Sequence, residues 1–144
     1  MRKITSLMGI AFLSAITICS CTGNKAPETN TEIVAKKSSE VEIIYFHGKQ
    51  RCATCMAIEK EATALVESEL AQQVKDGKVA FRIVDFSTEE GKKVAEQYKV
   101  SYSSLFVVTK GGAEDLTRFA FTHARSNGES FRQELKNKVL KAME

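Results

Sequence analysis

Apolar and polar positions change rhythm several times along this chain, and each rhythm predicts an element. VEIIYF, residues 41–46, is short, largely apolar and partly β-branched, which predicts a buried strand. From Cys55 onward, Ile58, Ala62, Leu65, Val66, Leu70 and Val74 recur mostly at three- and four-residue steps, with Glu61, Glu67 and Ser68 opposite them. That spacing predicts one amphipathic helix, stopped near Gly77. KVAFRIVDF (78–86) predicts a second strand, and STEEGKKVAEQY a short helix capped by Ser87 or Thr88 despite Gly91. SLFVVT (104–109) predicts a third strand, from which Gly111-Gly112 turns into a fourth around Leu116 to Phe121. Phe131, Leu135, Val139 and Leu140 mark a last helix.

The order β-α-β-α-β-β-α implies parallel pairing of the first two strands and an antiparallel end to the sheet. The expected fold class is therefore α/β, a mixed four-stranded sheet with helices on both faces, formed by residues 41–144. What precedes it is of another kind. Arg2 and Lys3 followed by the apolar run Ile4 to Ile18 predict a signal peptide over residues 1–20. Its end, Ile18-Cys19-Ser20-Cys21, resembles a bacterial lipobox, with Cys21 the cysteine that receives lipid. Residues 21–40 are polar, contain the only proline, Pro27, and read as a tether, the alternative being an extra strand around Ile33 and Val34. The expected location is the bacterial cell envelope, as a lipoprotein facing the periplasm and touching the membrane through Cys21.

Charge narrows the partners. The chain carries 21 Lys+Arg and 18 Asp+Glu; removing Arg2 and Lys3 with the leader, which holds no acid, leaves 19 against 18. This near-neutral balance gives no electrostatic basis for nucleic-acid binding. The cysteines narrow the chemistry. Of four, Cys19 leaves with the leader and Cys21 is lipidated, so Cys52 and Cys55 remain. A structural zinc site needs about four ligands and would have to recruit both His47 and His123. A disulfide framework needs more than one pair. A self-contained dithiol is what is left, with no cofactor beyond its own Cys52–Cys55 disulfide.

Cys52 falls where the strand hands over to the helix, and unpaired N–H groups at a helix start favour a thiolate. Arg51 adds an adjacent cation, and His47 ends the strand within reach. Cys55, one turn into the helix, is the more buried partner that resolves a mixed disulfide at Cys52. Plainer roles stand beside these: Arg51 a solvated loop charge, His47 a satisfied strand-end histidine, His123 a loop residue. Tyr98, Tyr102, Phe106 and Phe121 read as core or sheet-covering aromatics. Met56 after Cys55, where histidine would be needed, argues against a c-type haem site.

The strand before Cys52-Ala53-Thr54-Cys55, the long helix after it and the block YKVSYSSLFVVTKGG (98–112) together resemble the thioredoxin-like superfamily across essentially all of residues 41–144. YFHGKQRCATCMAIEKEA is also similar to the start of small thioredoxin-like proteins described as subunits of nitrophenyl-compound nitroreductase systems. No flavin or nicotinamide fingerprint accompanies it, so nitro-group reduction would fall to another chain. There are departures. Ala53-Thr54 replaces the usual Gly-Pro, Glu42 is the only acid in the strand before the motif, and Ser104 stands where thioredoxins place a cis-proline. Serine makes a trans Ser103–Ser104 bond the expectation.

The resemblance implies a thiol-disulfide oxidoreductase in which Cys52 attacks and Cys55 resolves, supported by Arg51, His47 and Ser104. Its partner would be a protein thiol or disulfide, with a membrane reductase keeping it reduced. Two other readings stay open. RCATCMAIEKEA also resembles the C-x-x-C loop of heavy-metal-associated domains, so Cys52 and Cys55 would serve a soft-metal (Cu or Zn) carrier. The third is a non-catalytic thioredoxin-like subunit whose disulfide is inert.

Overall fold

A computed structural model describes residues 39–144; the expected signal peptide, Cys21 and the expected tether through residue 38 lie outside the described residues. Strand β1 (Val41–His47) is buried on both faces. Val41, Ile43 and Tyr45 enter one apolar cluster, while Ile44 and Phe46 enter another. This is the period-two division an inner strand requires. β1 pairs in parallel with β2 (Val79–Asp85), from Val41↔Val79 to His47↔Asp85. It pairs antiparallel with β3 (Ser104–Thr109), from Val41↔Thr109 to Phe46↔Ser104. Lys110 and Gly111 then connect β3 to its antiparallel neighbour β4 (Gly112–Asp115), giving the order β2-β1-β3-β4.

Helices cover both faces. On one side lie α1 (Ala53–Ser68), α2 (Ala71–Lys75), α4 (Thr117–His123) and α5 (Gly128–Lys141), through residues such as Ile58, Leu65, Ala120 and Leu135. On the other lies α3 (Glu89–Gln97), through Ala95 and Val94. The chain thus has the thioredoxin-like α/β fold that the element order predicts.

Two elements depart from expectation, each for a local reason. The long helix is two. The N–H groups of Glu69 and Leu70 both reach the Leu65 carbonyl, at 2.9 and 3.0 Å, so the ladder slips and Leu70 turns fully into the core. The second piece ends on a left-handed Gly77 (φ 73°), with Gly77 N–H bonded to Val74 C=O and Lys78 N–H to Gln73 C=O.

The fourth strand is not at Leu116–Phe121. It ends at Asp115, whose Oδ1 accepts the Thr117 N–H at 2.8 Å and turns the chain into α4. The aromatic composition of LTRFAF suggests a strand, but the buried apolar positions are Leu116, Ala120 and Ala124, at helical steps. β3 loses nothing by this. Leu105 donates to Thr117 Oγ1 at 3.1 Å and accepts from Leu116 N–H at 2.8 Å. His123 closes α4 rather than lying in a loop, stacked on Phe119 with ring centroids 4.8 Å apart. Glu61 sits on no free polar face either: it ion-pairs with Arg132 of α5.

Gly91 is a requirement, not a blemish. A Cβ there would lie 2.0 Å from the Asp85 carbonyl oxygen, because the first turn of α3 rests directly on the end of β2. Thr88 caps that turn, its Oγ1 accepting the Gly91 N–H at 3.0 Å. Backbone cannot yield as a side-chain tip can. Gly91→Ala is therefore expected to lower unfolding stability by about 1–3 kcal/mol, the usual scale for overpacking. Denaturant titration checks this, and an unchanged midpoint would show that α3 shifts freely.

Candidate functional site

The chain leaves β1 at His47, passes Gly48–Arg51 and enters α1 through Cys52, whose extended backbone (φ −79°, ψ 165°) makes it the N-cap. Its Sγ accepts the Cys55 N–H at 3.1 Å, and its carbonyl accepts the Met56 N–H at 3.0 Å. Sulfur thus fills the place a serine or aspartate oxygen takes at other helix starts. Both thiols are free, Cys52 exposed and Cys55 buried. The Cys55 side chain, then the Cys55 N–H, hold the Cys52 thiol below its ordinary pKa against a slight opposing effect of burial. The site therefore presents one accessible sulfur primed as thiolate and one covered sulfur a turn behind it.

The residues expected to support the pair are placed unequally. Arg51 is the neighbour of Cys52 in sequence, but its guanidinium is engaged by Glu59, one turn beyond Cys55. It is not among the groups that lower Cys52. His47 directs Nδ1 to the Gly48 carbonyl oxygen at 3.1 Å and sits opposite Asp85 across the β1–β2 ladder. Burial opposes ionisation of Asp85, yet the Ser87 hydroxyl and N–H, then His47 and Arg51, hold its carboxyl below the usual range. Ser104 is buried at the start of β3, opposite Phe46, with its hydroxyl donating to the Tyr102 carbonyl at 2.9 Å. The described residues contain no cis peptide, so Ser103–Ser104 is trans as expected.

Tyr45 is the neighbour sequence reasoning missed. It reads as one more apolar residue of β1, yet its hydroxyl donates to the Cys55 carbonyl at 2.8 Å. Burial first, then the nearby Cys55, pushes its pKa up to about 12, with Arg51 opposing. The only available signal was a hydroxyl in an otherwise apolar strand, since a buried hydroxyl needs a partner. The expected core aromatics divide. Tyr98 and Phe106 pack around Phe46, with centroids 5.6 and 5.9 Å from it. Tyr102 and Phe121 are instead exposed, 61% and 40%, and line a shallow cavity of about 480 Å³ with Thr117 and Arg118. Among the described residues no three His, Cys, Asp or Glu side chains converge as a metal-ligating group.

No protein-family model and no curated protein matches the chain. Among solved structures it is similar to a thioredoxin of Fasciola hepatica, at 17% identity and TM-score 0.49, covering 72% of this chain and 82% of that one. It is similar also to a thioredoxin from Thermus thermophilus, at 21% identity and TM-score 0.43, covering 72% and 76%. The zinc-bound form of human ERp44 shares 18% identity at TM-score 0.43, over 63% of this chain and 27% of that one. At these scores the likenesses add no weight; the fold rests on strand order and packing, and the chemistry on the site itself.

The lowered Cys52 thiol sets a pH dependence. Thiolate forms as pH rises through the folded pKa, so Cys52 alkylation should reach half its maximal rate at a lower pH in the folded protein than in urea-unfolded chain. Cys55→Ala removes the side-chain donor and keeps the backbone one, so its midpoint should lie between those two. Alkylation by iodoacetamide across pH, read by mass spectrometry, measures all three, and coincident folded and unfolded profiles would remove the cap from the account.

Proposed function

We propose that this protein is a lipid-anchored, extracytoplasmic thiol-disulfide oxidoreductase in which Cys52 attacks and Cys55 resolves. The observation that carries this reading is the asymmetry of the pair: an exposed Sγ receiving a helix N–H at 3.1 Å, and a buried thiol behind it. The Cys52 thiolate attacks a partner disulfide, forming the Cys52–partner bond while the other partner sulfur leaves as thiolate. Cys55 then gives up its proton and attacks Cys52 Sγ. The Cys52–Cys55 disulfide forms, the second partner sulfur leaves, and the partner has gained two electrons that the pair has lost. A membrane reductase supplying two electrons would restore the dithiol. The lipobox-like Ile18-Cys19-Ser20-Cys21 supports attachment through Cys21 on the periplasmic side.

Cys55→Ser should accumulate disulfide-linked complexes through Cys52, visible on non-reducing gels, while Cys52→Ser should accumulate few. Equal trapping by both folded variants, or none by either, sinks the assignment. Stoichiometric retention of Cu(I) or Zn(II) without any exchange would turn the reading toward a metal carrier.

The anchor has its own test. Cys21→Ser should abolish incorporation of labelled lipid and shift the protein out of the membrane fraction. Normal labelling and fractionation of that variant would overturn the lipobox reading.

A further inference from the structure

Position 45 is fully buried within the cluster formed by β1, α1 and α5, where an apolar ring alone would fill the space. A hydroxyl placed there without a partner would be costly, about 1–3 kcal/mol on the scale of protein mutations. Its partner is the Cys55 carbonyl. That carbonyl lies inside α1, where the helix ladder already supplies a donor, so the tyrosine is not needed to satisfy it. The bond instead ties the turn carrying Cys55 to the rigid inner strand of the sheet. A second tie crosses the same turn from outside: Arg51, just before Cys52, is ion-paired with Glu59, four residues beyond Cys55. Arg51 also lies close enough to the Tyr45 hydroxyl to oppose its raised pKa. Strand, turn and helix are thus joined around the two sulfurs.

We propose that Tyr45 is a positioning residue for the resolving cysteine, its hydroxyl fixing the first turn of α1, beneath the Arg51–Glu59 pair, so that Cys55 faces Cys52. The inference rests on the dithiol reading and assigns the second chemical step to a residue that touches neither partner nor sulfur bond. Holding two reacting groups in register raises their effective concentration, and loosening the turn lowers it. The first step needs only an exposed thiolate. Loss of the hydroxyl should therefore separate the two steps.

A small aromatic disulfide, 5,5′-dithiobis(2-nitrobenzoate), reports both in one trace with the reduced full chain. Attack by Cys52 releases one coloured thiolate and leaves a mixed disulfide. Attack by Cys55 on Cys52 Sγ releases the second, with loss of the Cys55 proton. Tyr45→Phe should leave the first phase within about twofold and slow the second about fivefold, the equivalent of one neutral hydrogen bond. Glu59→Gln, which weakens the outer tie and keeps the hydroxyl, should slow the second phase by a smaller factor. A second phase unchanged in folded Tyr45→Phe overturns the proposal, as does equal slowing of both phases, which marks general loosening. If Tyr45→Phe does not fold, Tyr45→Leu, which also removes the hydroxyl donated to the Cys55 carbonyl, is read by the same two criteria. The reagent needs no natural partner, so this result stands apart from the trapping experiment, and a failure of either is distinguishable from a failure of the other.

Discussion

Burial of β1 on both faces is the constraint on which the rest of the molecule depends. A strand covered on two sides cannot slip by one residue, because every side chain would move to the opposite layer. Here such a slip would exchange Tyr45 with Phe46, and the hydroxyl that meets Cys55 would face α3 instead. The register that settles the core therefore also settles what lies beneath the first turn of α1. Packing and chemistry share one alignment.

The parallel pairing of β1 and β2 brings two strand ends, His47 and Asp85, to one edge of the sheet, near the starts of α1 and α3. Charges gathered there are already matched. Asp85 accepts from Ser87 and feels His47 and Arg51, while Arg51 is paired with Glu59. Cys52 is consequently favoured as thiolate by the Cys55 thiol and by backbone N–H groups, not by a free cation. Donors held in contact are screened by salt far less than a charge acting across solvent.

The sequence made strands legible wherever burial on both faces left unbroken apolar runs, and it placed Ser104–Thr109 to the residue. It also made legible the place of Cys52 and Cys55 at a strand-to-helix junction, one exposed and one buried, because their spacing there is a local property. It failed where one dimension cannot show the third. LTRFAF carries strand-like residues in a helical rhythm, and only the Asp115 turn and the bonds to Leu105 decide between them. Gly91 looked unfavourable for a helix because the carbonyl it accommodates is six residues earlier and belongs to another element. Arg51 looked like a companion of Cys52 because it is adjacent, whereas Glu59, a helical turn and more away, claims it. Tyr45 was hidden in plain apolar company.

The hydrogen bond from Cys55 N–H to Cys52 Sγ has a thermodynamic consequence for the life of the chain. It strengthens when the sulfur is a thiolate and weakens when that sulfur is tied into a neutral disulfide. The folded state is therefore favoured more in the reduced form than in the oxidised one by this contact. Folding and electron transfer close a single cycle, so whatever stability oxidation subtracts reappears as oxidising strength in the pair. A chain that meets an oxidant before it folds forms its disulfide readily, since nothing yet rewards the free thiolate. Once folded, the same contact holds the two sulfurs toward the dithiol, the form from which the proposed attack on a partner disulfide begins.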